Sequence, residues 1–509
     1  MLVLPVPAAL AQECPANAAV PRSVEVAYSA DGTDRYEVVF RPGADGTLRA
    51  VEKHGGGALW SFTPPELDGT HREDGLMSEL RILRFDANRD GVIDRVAGDR
   101  LWLYFGMRRG GRYYYALDAT DRGTVRVLWR AGPGELPGIG ETWSPPVIAR
   151  VRVNGEAQNG EHLVVIVGGG HDEVPGSAHR LYMLDAESGE LLWYAGGPGG
   201  IEAPQPPDLL LAAMTSSLPP RIAVVDTDSD ALADRMYAAD SAGRVWRFDI
   251  WNGRERAGLV TGGLLASLGA AASADPTEAR RFFNGPDVAL VRRTGRTPYY
   301  NLALGSGDRS RPFDTEVHDR LYAIRDMQPF GKFPQSAYDA RVPILDTDLL
   351  DITDAPGTAV VPPGAPGWKL DLRDGTNWRG EKTLAEAVTA NGTILYTTFE
   401  PMPASTCADT ARNRVYALRL EEGHPARDLD EDGHITDRDV SSTLDQHGIA
   451  GEVELERPSG RHEPPNPGEA PHTPESAFLR CAVGGERLRF CVSMESLQRT
   501  FWHRQPPPD

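Results

Sequence analysis

Leu101-Trp-Leu-Tyr-Phe-Gly-Met-Arg-Arg-Gly-Gly-Arg-Tyr-Tyr-Tyr-Ala-Leu-Asp118 is the stretch that decides the fold. An aromatic-rich apolar run leads into a turn around Gly110 and Gly111, and a second apolar run ends on Asp118. Short runs of this kind bounded by glycine read as strands joined by a hairpin turn. The pattern recurs along the chain. Tyr36 to Phe62 contains Gly57-Ala-Leu-Trp60, and His162 to Trp193 contains Leu181-Tyr-Met-Leu-Asp185 and Gly189-Glu-Leu-Leu-Trp193. Arg235 to Ile250 carries Met236-Tyr-Ala-Ala-Asp240, Tyr299 to Ile324 ends in Leu321-Tyr-Ala-Ile324, and Ile394 to Leu418 ends in Val415-Tyr-Ala-Leu418. Radially repeated small sheets, each burying its faces against its neighbours, make a β-propeller. The expectation is an all-β, quinoprotein-like propeller of about seven blades, with six or eight as the neighbouring counts. Several unrelated β-sandwiches would not repeat one signature. Repetition also explains how 509 residues form one domain where a single core would split.

Composition narrows the class. With 54 Gly and 41 Pro, the chain has the turn residues that many short strands need. A formal net charge of -20 argues against nucleic acid as a partner, because phosphate binding needs clustered Lys and Arg. No run is long and apolar enough for a membrane span. Residues 1–11 end in Ala9-Leu10-Ala11, a small-x-small cleavage pattern, and read as the tail of a signal peptide. Residues 12–509 are then the propeller, with Pro- and Gly-rich insertions at 355–367 and 456–476, the second forming part of a segment at 426–476. Cys14, Cys407, Cys481 and Cys491 are the only cysteines, and an even, sparse set in an exported chain favours disulfides. Cys481 and Cys491 flank a two-strand pattern around Gly484-Gly485 and are the natural pair; Cys14 with Cys407 follows by elimination.

Three stretches place carboxylates at every second residue. Loop one runs Asp86-Ala-Asn88-Arg-Asp90-Gly-Val92-Ile-Asp94, and loop two runs Asp226-Thr-Asp228-Ser-Asp230-Ala-Leu232-Ala-Asp234. Loop three runs Asp428-Leu-Asp430-Glu-Asp432-Gly-His434-Ile-Thr436-Asp-Arg-Asp439. Oxygens at positions 1, 3 and 5, a carbonyl at 7 and a ligand at 9 or 12 make a calcium cage of the EF-hand kind. The expected ligands are all the numbered residues above, with the backbone carbonyls of Val92, Leu232 and His434 at position 7. Loop three has the turning Gly433 and an acid at position 12. Loop one has Gly91 and closes on Asp94, whereas Ala231 stands where loop two should have glycine. Oxygen-only donors on flexible loops favour Ca2+ over zinc or magnesium. The alternative for each is an ordinary solvated Asx turn.

With these units in place, the chain resembles the C-terminal propeller of the PilY family of type IV pilus tip-associated biogenesis factors and adhesins. The resemblance rests on Phe85 to Asp94, Trp102 to Asp118, Gly140-Glu-Thr-Trp143-Ser-Pro-Pro-Val147 and Val167-Gly-Gly-Gly-His-Asp172. Asp226 to Asp249, Trp378 to Lys382, Tyr396 to Phe399 and Arg499-Thr-Phe-Trp502 extend it. It implies a pilus assembly role, calcium-dependent control of extension and retraction through Asp226 to Asp234, and location in the periplasm, on the outer surface or at the pilus tip. Implied partners are minor pilins, with host or abiotic surfaces beyond them. Larger members often carry a von Willebrand type A domain ahead of the propeller, and the resemblance does not extend to adhesion ascribed to that region.

The Leu-Leu-Trp193 and Ala-Leu-Trp60 endings are also similar to the repeat of pyrroloquinoline-quinone propellers, so a quinone-dependent dehydrogenase is the enzymatic alternative. Many of those enzymes have a vicinal cysteine pair, and no two cysteines here are adjacent. No G-x-S-x-G elbow occurs, and Gly168-Gly-Gly-His171-Asp172 lacks the following helix that a phosphate cradle needs. The expectation is a non-enzyme.

Overall fold

The stretch from Leu101 to Asp118 forms two antiparallel strands, Arg100–Gly106 and Tyr114–Asp118, with Phe105 opposite Tyr115 and Leu103 opposite Leu117. Their side chains divide by parity. Leu101, Leu103, Phe105, Tyr115 and Leu117 enter one apolar layer, and Trp102, Tyr104, Tyr114 and Ala116 enter the next. A strand covered on both faces has no polar side, which is why the run is continuously apolar rather than alternating.

The computed structural model describes residues 23–488 apart from 30–33, 44, 68–76, 155–159, 173–177, 199–205, 271–273, 355–356, 403–410, 431, 447, 457–479 and 485. Seven sheets form the blades of a propeller. Blade 1 comprises Val24–Tyr28, Tyr36–Pro42, Leu48–Glu52 and Ala58–Phe62. Blade 2 comprises Arg81–Phe85, Arg100–Gly106, Tyr114–Asp118 and Arg126–Ala131. Blade 3 contains Val147–Arg152, Glu161–Gly168, Arg180–Asp185 and Leu191–Gly196; blade 4 contains Ala223–Val225, Arg235–Ala239, Arg244–Ile250 and Val260–Ser267. Blade 5 uses Asp287–Val291, Tyr299–Gly305, Arg320–Asp326 and Gly367–Asp371. Blade 6 is built on Val388–Ala390, Thr393–Pro401, Ala411–Arg419 and Ser441–Leu444, with Lys382–Thr383 also pairing to Thr393–Pro401. Blade 7 shows Val453–Glu456, Arg480–Val483 and Glu486–Arg487. Short parallel strands, Leu209–Leu210, Ile344–Leu345 and Leu350–Asp351, cover the outer edges of blades 3, 4 and 5, which blunts edges that would otherwise be free to pair.

The core is distributed. Among the described residues, six apolar layers each lie between two successive blades, so every blade depends on its neighbours for burial. Blade 1 begins one strand earlier than the sequence reading placed it, at Val24–Tyr28. Cys481 is buried in the layer between blades 6 and 7 and is disulfide-bonded. The expected partner Cys491, with Cys14, Cys407, the leader at 1–11 and the motif at 499–502, lies outside the described residues. Helices among the described residues are short: Gln335–Asp339 is one α-helical turn, and a 3-10 turn covers Asp437–Val440. Among the described residues no helix is long and apolar enough to cross a membrane.

Because strands alternate in direction, the loop after the first strand and the loop after the third emerge at the same end of a blade. Loops one and two follow the first strands of blades 2 and 4, and loop three follows the third strand of blade 6. All three therefore open on one face of the propeller.

Candidate metal loops

The three loops share one hydrogen-bond frame. The position-1 carboxylate accepts from the position-6 N–H: Asp86 from Gly91 at 2.7 Å, Asp226 from Ala231 at 3.0 Å and Asp428 from Gly433 at 2.8 Å. Position 3 accepts from the N–H of position 5, so Asn88, Asp228 and Asp430 hold Asp90, Asp230 and Asp432. Position 5 accepts from position 7, holding Val92, Leu232 and His434, each at 2.8 Å. A more distant aspartate closes each loop on the N–H of position 2: Asp99 on Ala87, Asp234 on Thr227 and Asp439 on Leu429. The resulting tight coil requires left-handed backbone at position 6. Gly91 (φ 79°) and Gly433 (φ 88°) adopt it freely, but Ala231 (φ 73°) does so at a steric cost.

The loops differ in what they gather. In loop two, Asp226, Asp228 and Asp234 each offer a carboxylate oxygen within 4.8 Å of the others, and in loop three Asp428, Asp430 and Asp432 do the same. Loop one has no such group of three acidic side chains among the described residues; Asp86 and Asp90 are joined there by Asn88, whose amide donates to Asp90 at 2.9 Å. Asp94 spends Oδ1 on the N–H of Val96 and donates its own N–H to Asp99. Asp230 stands outside the group in loop two.

Asp439 is fully buried and serves as a strut. Its Oδ1 accepts from Leu429 and Asp430, and its Oδ2 accepts from Thr436. Thr436 caps the 3-10 turn by accepting from Arg438, so these two residues form a capping box rather than standing with Asp428, Asp430 and Asp432. Burial works to raise the Asp439 carboxyl, but the N–H groups of Thr436, Leu429 and Asp430 hold it below the usual range.

In loop two, two carboxylates are perturbed in opposite directions. Burial pushes Asp226 up; the N–H groups of Ala231, Ser229 and Asp228 oppose this, and the charge of Asp234 adds to it. Burial also acts to raise Asp234, yet Lys332, at 2.7 Å, and Thr227 hold it below the usual range. Beneath the loop, Arg235, Arg247, Asp249 and Asp326 are completely buried in one network. Arg235 and Arg247 donate to the carbonyls of Gln328, Pro329 and Gly331, fixing the segment that carries Lys332. Converging oxygens without nitrogen or sulfur fit a hard cation such as Ca2+. In loop two the fitting set is Asp226, Asp228 and Asp234; in loop three it is Asp428, Asp430 and Asp432.

Asp99 and Lys332 were not legible as partners of these loops. Position 8 was also overlooked. Ile93 N–H donates to Ala27 of blade 1 at 2.9 Å, and Ala233 N–H donates to Arg150 of blade 3 at 2.7 Å, so loops one and two each dock on the preceding blade. Ile435, at position 8 of loop three, is 51% exposed.

No protein-family model matches the chain. It is 25% identical over 354 residues, 61% of its length, to the type IV pilus biogenesis factor PilY1 of Pseudomonas aeruginosa. It is 27% identical over 339 residues, 64% of its length, to a PilY1 homolog of Xylella fastidiosa. The chain spans about a quarter of the length of these curated relatives, covering 28% and 22% of them. The crystal structure of the Pseudomonas aeruginosa PilY1 C-terminal domain superposes with a TM-score of 0.60 at 20% identity, covering 89% of this chain and 92% of that one. The propeller fold is common to both.

Proposed function

We propose that the chain is a PilY-type propeller and a type IV pilus biogenesis component acting outside the cytoplasm, on its similarity to PilY1 and its homologs. The observation that carries this reading is that sequence and fold point to the same proteins: a pilus biogenesis factor aligns with 61% of the chain, and a PilY1 domain superposes on 89% of it. Rigid blades with loops on one face suit protein contacts, and minor pilins are the proposed partners. Calcium at Asp226, Asp228 and Asp234 of loop two is the proposed control point for extension and retraction, with loop three as a second calcium site. Fixed carboxylates around one point repel until a cation enters, so calcium should stabilise the folded chain.

The test is made in cells that express a tagged copy in place of their own gene. The tagged chain should be recovered with sheared pili, and deletion should reduce surface pili and twitching. Recovery only in the cytosol, with piliation unchanged by deletion, would refute the reading. Asp228→Asn should spare the fold and alter twitching only where calcium is present; equal twitching with and without calcium in wild type would remove the control role while leaving the assembly role standing.

A further inference from the structure

In loops one and three one oxygen of the position-1 carboxylate, Asp86 Oδ1 and Asp428 Oδ1, is enclosed without a hydrogen-bond partner, and of these two residues Asp86 is the more deeply buried. Asp86 is only 8% exposed. Its Oδ2 accepts the Gly91 N–H, but its Oδ1, shielded from solvent, meets no hydrogen-bond partner. An ordinary Asx turn leaves its spare oxygen in water or uses it on a second N–H. A buried carboxylate oxygen with neither is costly, and a cation is the partner that removes the cost.

The surroundings state what such a cation would do. Asn88 and Asp90 are held to each other by two hydrogen bonds on the coil that Asp86 begins, and Asp99 holds both ends of the loop by accepting the N–H groups of Ala87 and Asp94, each at 2.8 Å. Between those ends, Ile93 makes a parallel bridge to Tyr28 in the first strand of blade 1: Ile93 N–H donates to Ala27, and Ser29 N–H donates to the Ile93 carbonyl at 3.0 Å. Ile93 and Tyr28 are 1% and 2% exposed, and the Tyr28 hydroxyl crosses to the Ala119 carbonyl of blade 2 at 2.7 Å. The loop is thus the seam between two blades.

We infer that loop one is a site for a calcium-type divalent cation, held by Asp86, Asn88 and Asp90, and that this ion clamps blade 1 to blade 2 through Ile93. The role is structural and separate from loop two, although both readings share the premise that such loops accept calcium. Immobilising the coil at positions 1 to 5 fixes the adjoining backbone at Val92 and Ile93, and Ile93 carries that order to the first strand of blade 1.

Amide hydrogen exchange of the full chain with calcium alone resolves the loops separately. Addition of about 1 mM calcium should slow exchange at Ile93 and Ser29 on the order of tenfold or more. Asp86→Asn, nearly isosteric, should abolish that slowing while leaving any response of residues 226–234 intact. Should Asp86→Asn fail to fold, Asp90→Asn, at an exposed position, serves in its place. Slowing at 226–234 with no change at Ile93 would overturn the inference and leave the loop-two reading standing; the opposite pattern would do the reverse. Protection confined to residues 86–92, with Ser29 unchanged, would overturn the clamp, and no response at any loop would overturn both readings.

Discussion

The ammonium of Lys332 sits 2.7 Å from Oδ1 of Asp234, on a residue that belongs to the acidic group of loop two. Lys332 arrives from blade 5, and the Arg235 and Arg247 side chains anchor its segment by their bonds to the Gln328, Pro329 and Gly331 carbonyls. A cation that takes Asp234 must therefore displace an intramolecular cation. Apparent affinity falls by the fraction of molecules in which the competitor is bound. Lys332→Met, which keeps the apolar stem, should tighten calcium binding at this loop on the order of tenfold, equivalent to ~1.4 kcal/mol. Calorimetric titration of the variant and wild type checks it, and equal affinities would show the ammonium to be a bystander.

Ala231 adopts φ 73° at the position where loops one and three have glycine. A left-handed alanine costs about 1 kcal/mol relative to a residue without a Cβ, less the entropy that glycine regains on unfolding. Ala231→Gly should raise chelator-treated stability by up to about 1 kcal/mol, read as a higher denaturant midpoint. A lower midpoint would mean that the Ala231 methyl makes packing contacts worth more than its strain.

Asp249 is the hub of the buried charge network under loop two. It accepts from Arg235, Arg247, the Phe333 N–H and the Tyr338 hydroxyl. Removing one member of such a set leaves uncompensated buried charge, typically at about 3–5 kcal/mol. Asp249→Ala should lower the unfolding free energy by that order in denaturant titrations. It should also make the segment around Phe333 sensitive to limited proteolysis.

Asp319 is 1% exposed, and burial raises its carboxyl to about 6, opposed by Lys382, the Ser306 hydroxyl and Arg280, with Asp308 adding to the rise. The folded state thus binds the proton more tightly than the unfolded chain. The associated stability is complete below about 4, the unfolded value, and is lost as pH rises through about 6. Asp319→Asn removes this dependence. The melting midpoint of the variant relative to wild type should therefore climb between pH 4 and pH 7, and a constant offset would contradict the assignment.

The propeller was legible because its central strands are buried on both faces. Tyr114-Tyr-Ala-Leu-Asp118 shows this without any knowledge of its neighbours. Val24-Glu-Val-Ala-Tyr28 was missed because it carries neither the Tyr-Ala-Leu-Asp nor the Leu-Trp ending of the recurring units, and its place depends on pairing with Tyr36–Pro42. The alternating aspartates pointed to three tight coils, and the shared frame accounts for that spacing. Asp439 took a different part because Thr436-Asp-Arg-Asp439 satisfies both a position-12 ligand pattern and a capping box, and the local turn claimed its oxygens. Lys332 lies 98 residues from Asp234. No local pattern announces a contact of that kind.

The common opening of the three aspartate loops has a consequence for how the molecule approaches others. A chain of net charge -20 is repelled by acidic neighbours from every side, but ions entering these loops would neutralise charge on one side of the disc alone. Calcium would then alter the direction of the protein's dipole moment as well as its total charge. Ambient calcium would set which side of the disc turns toward a charged surface during encounter, before any contact is made.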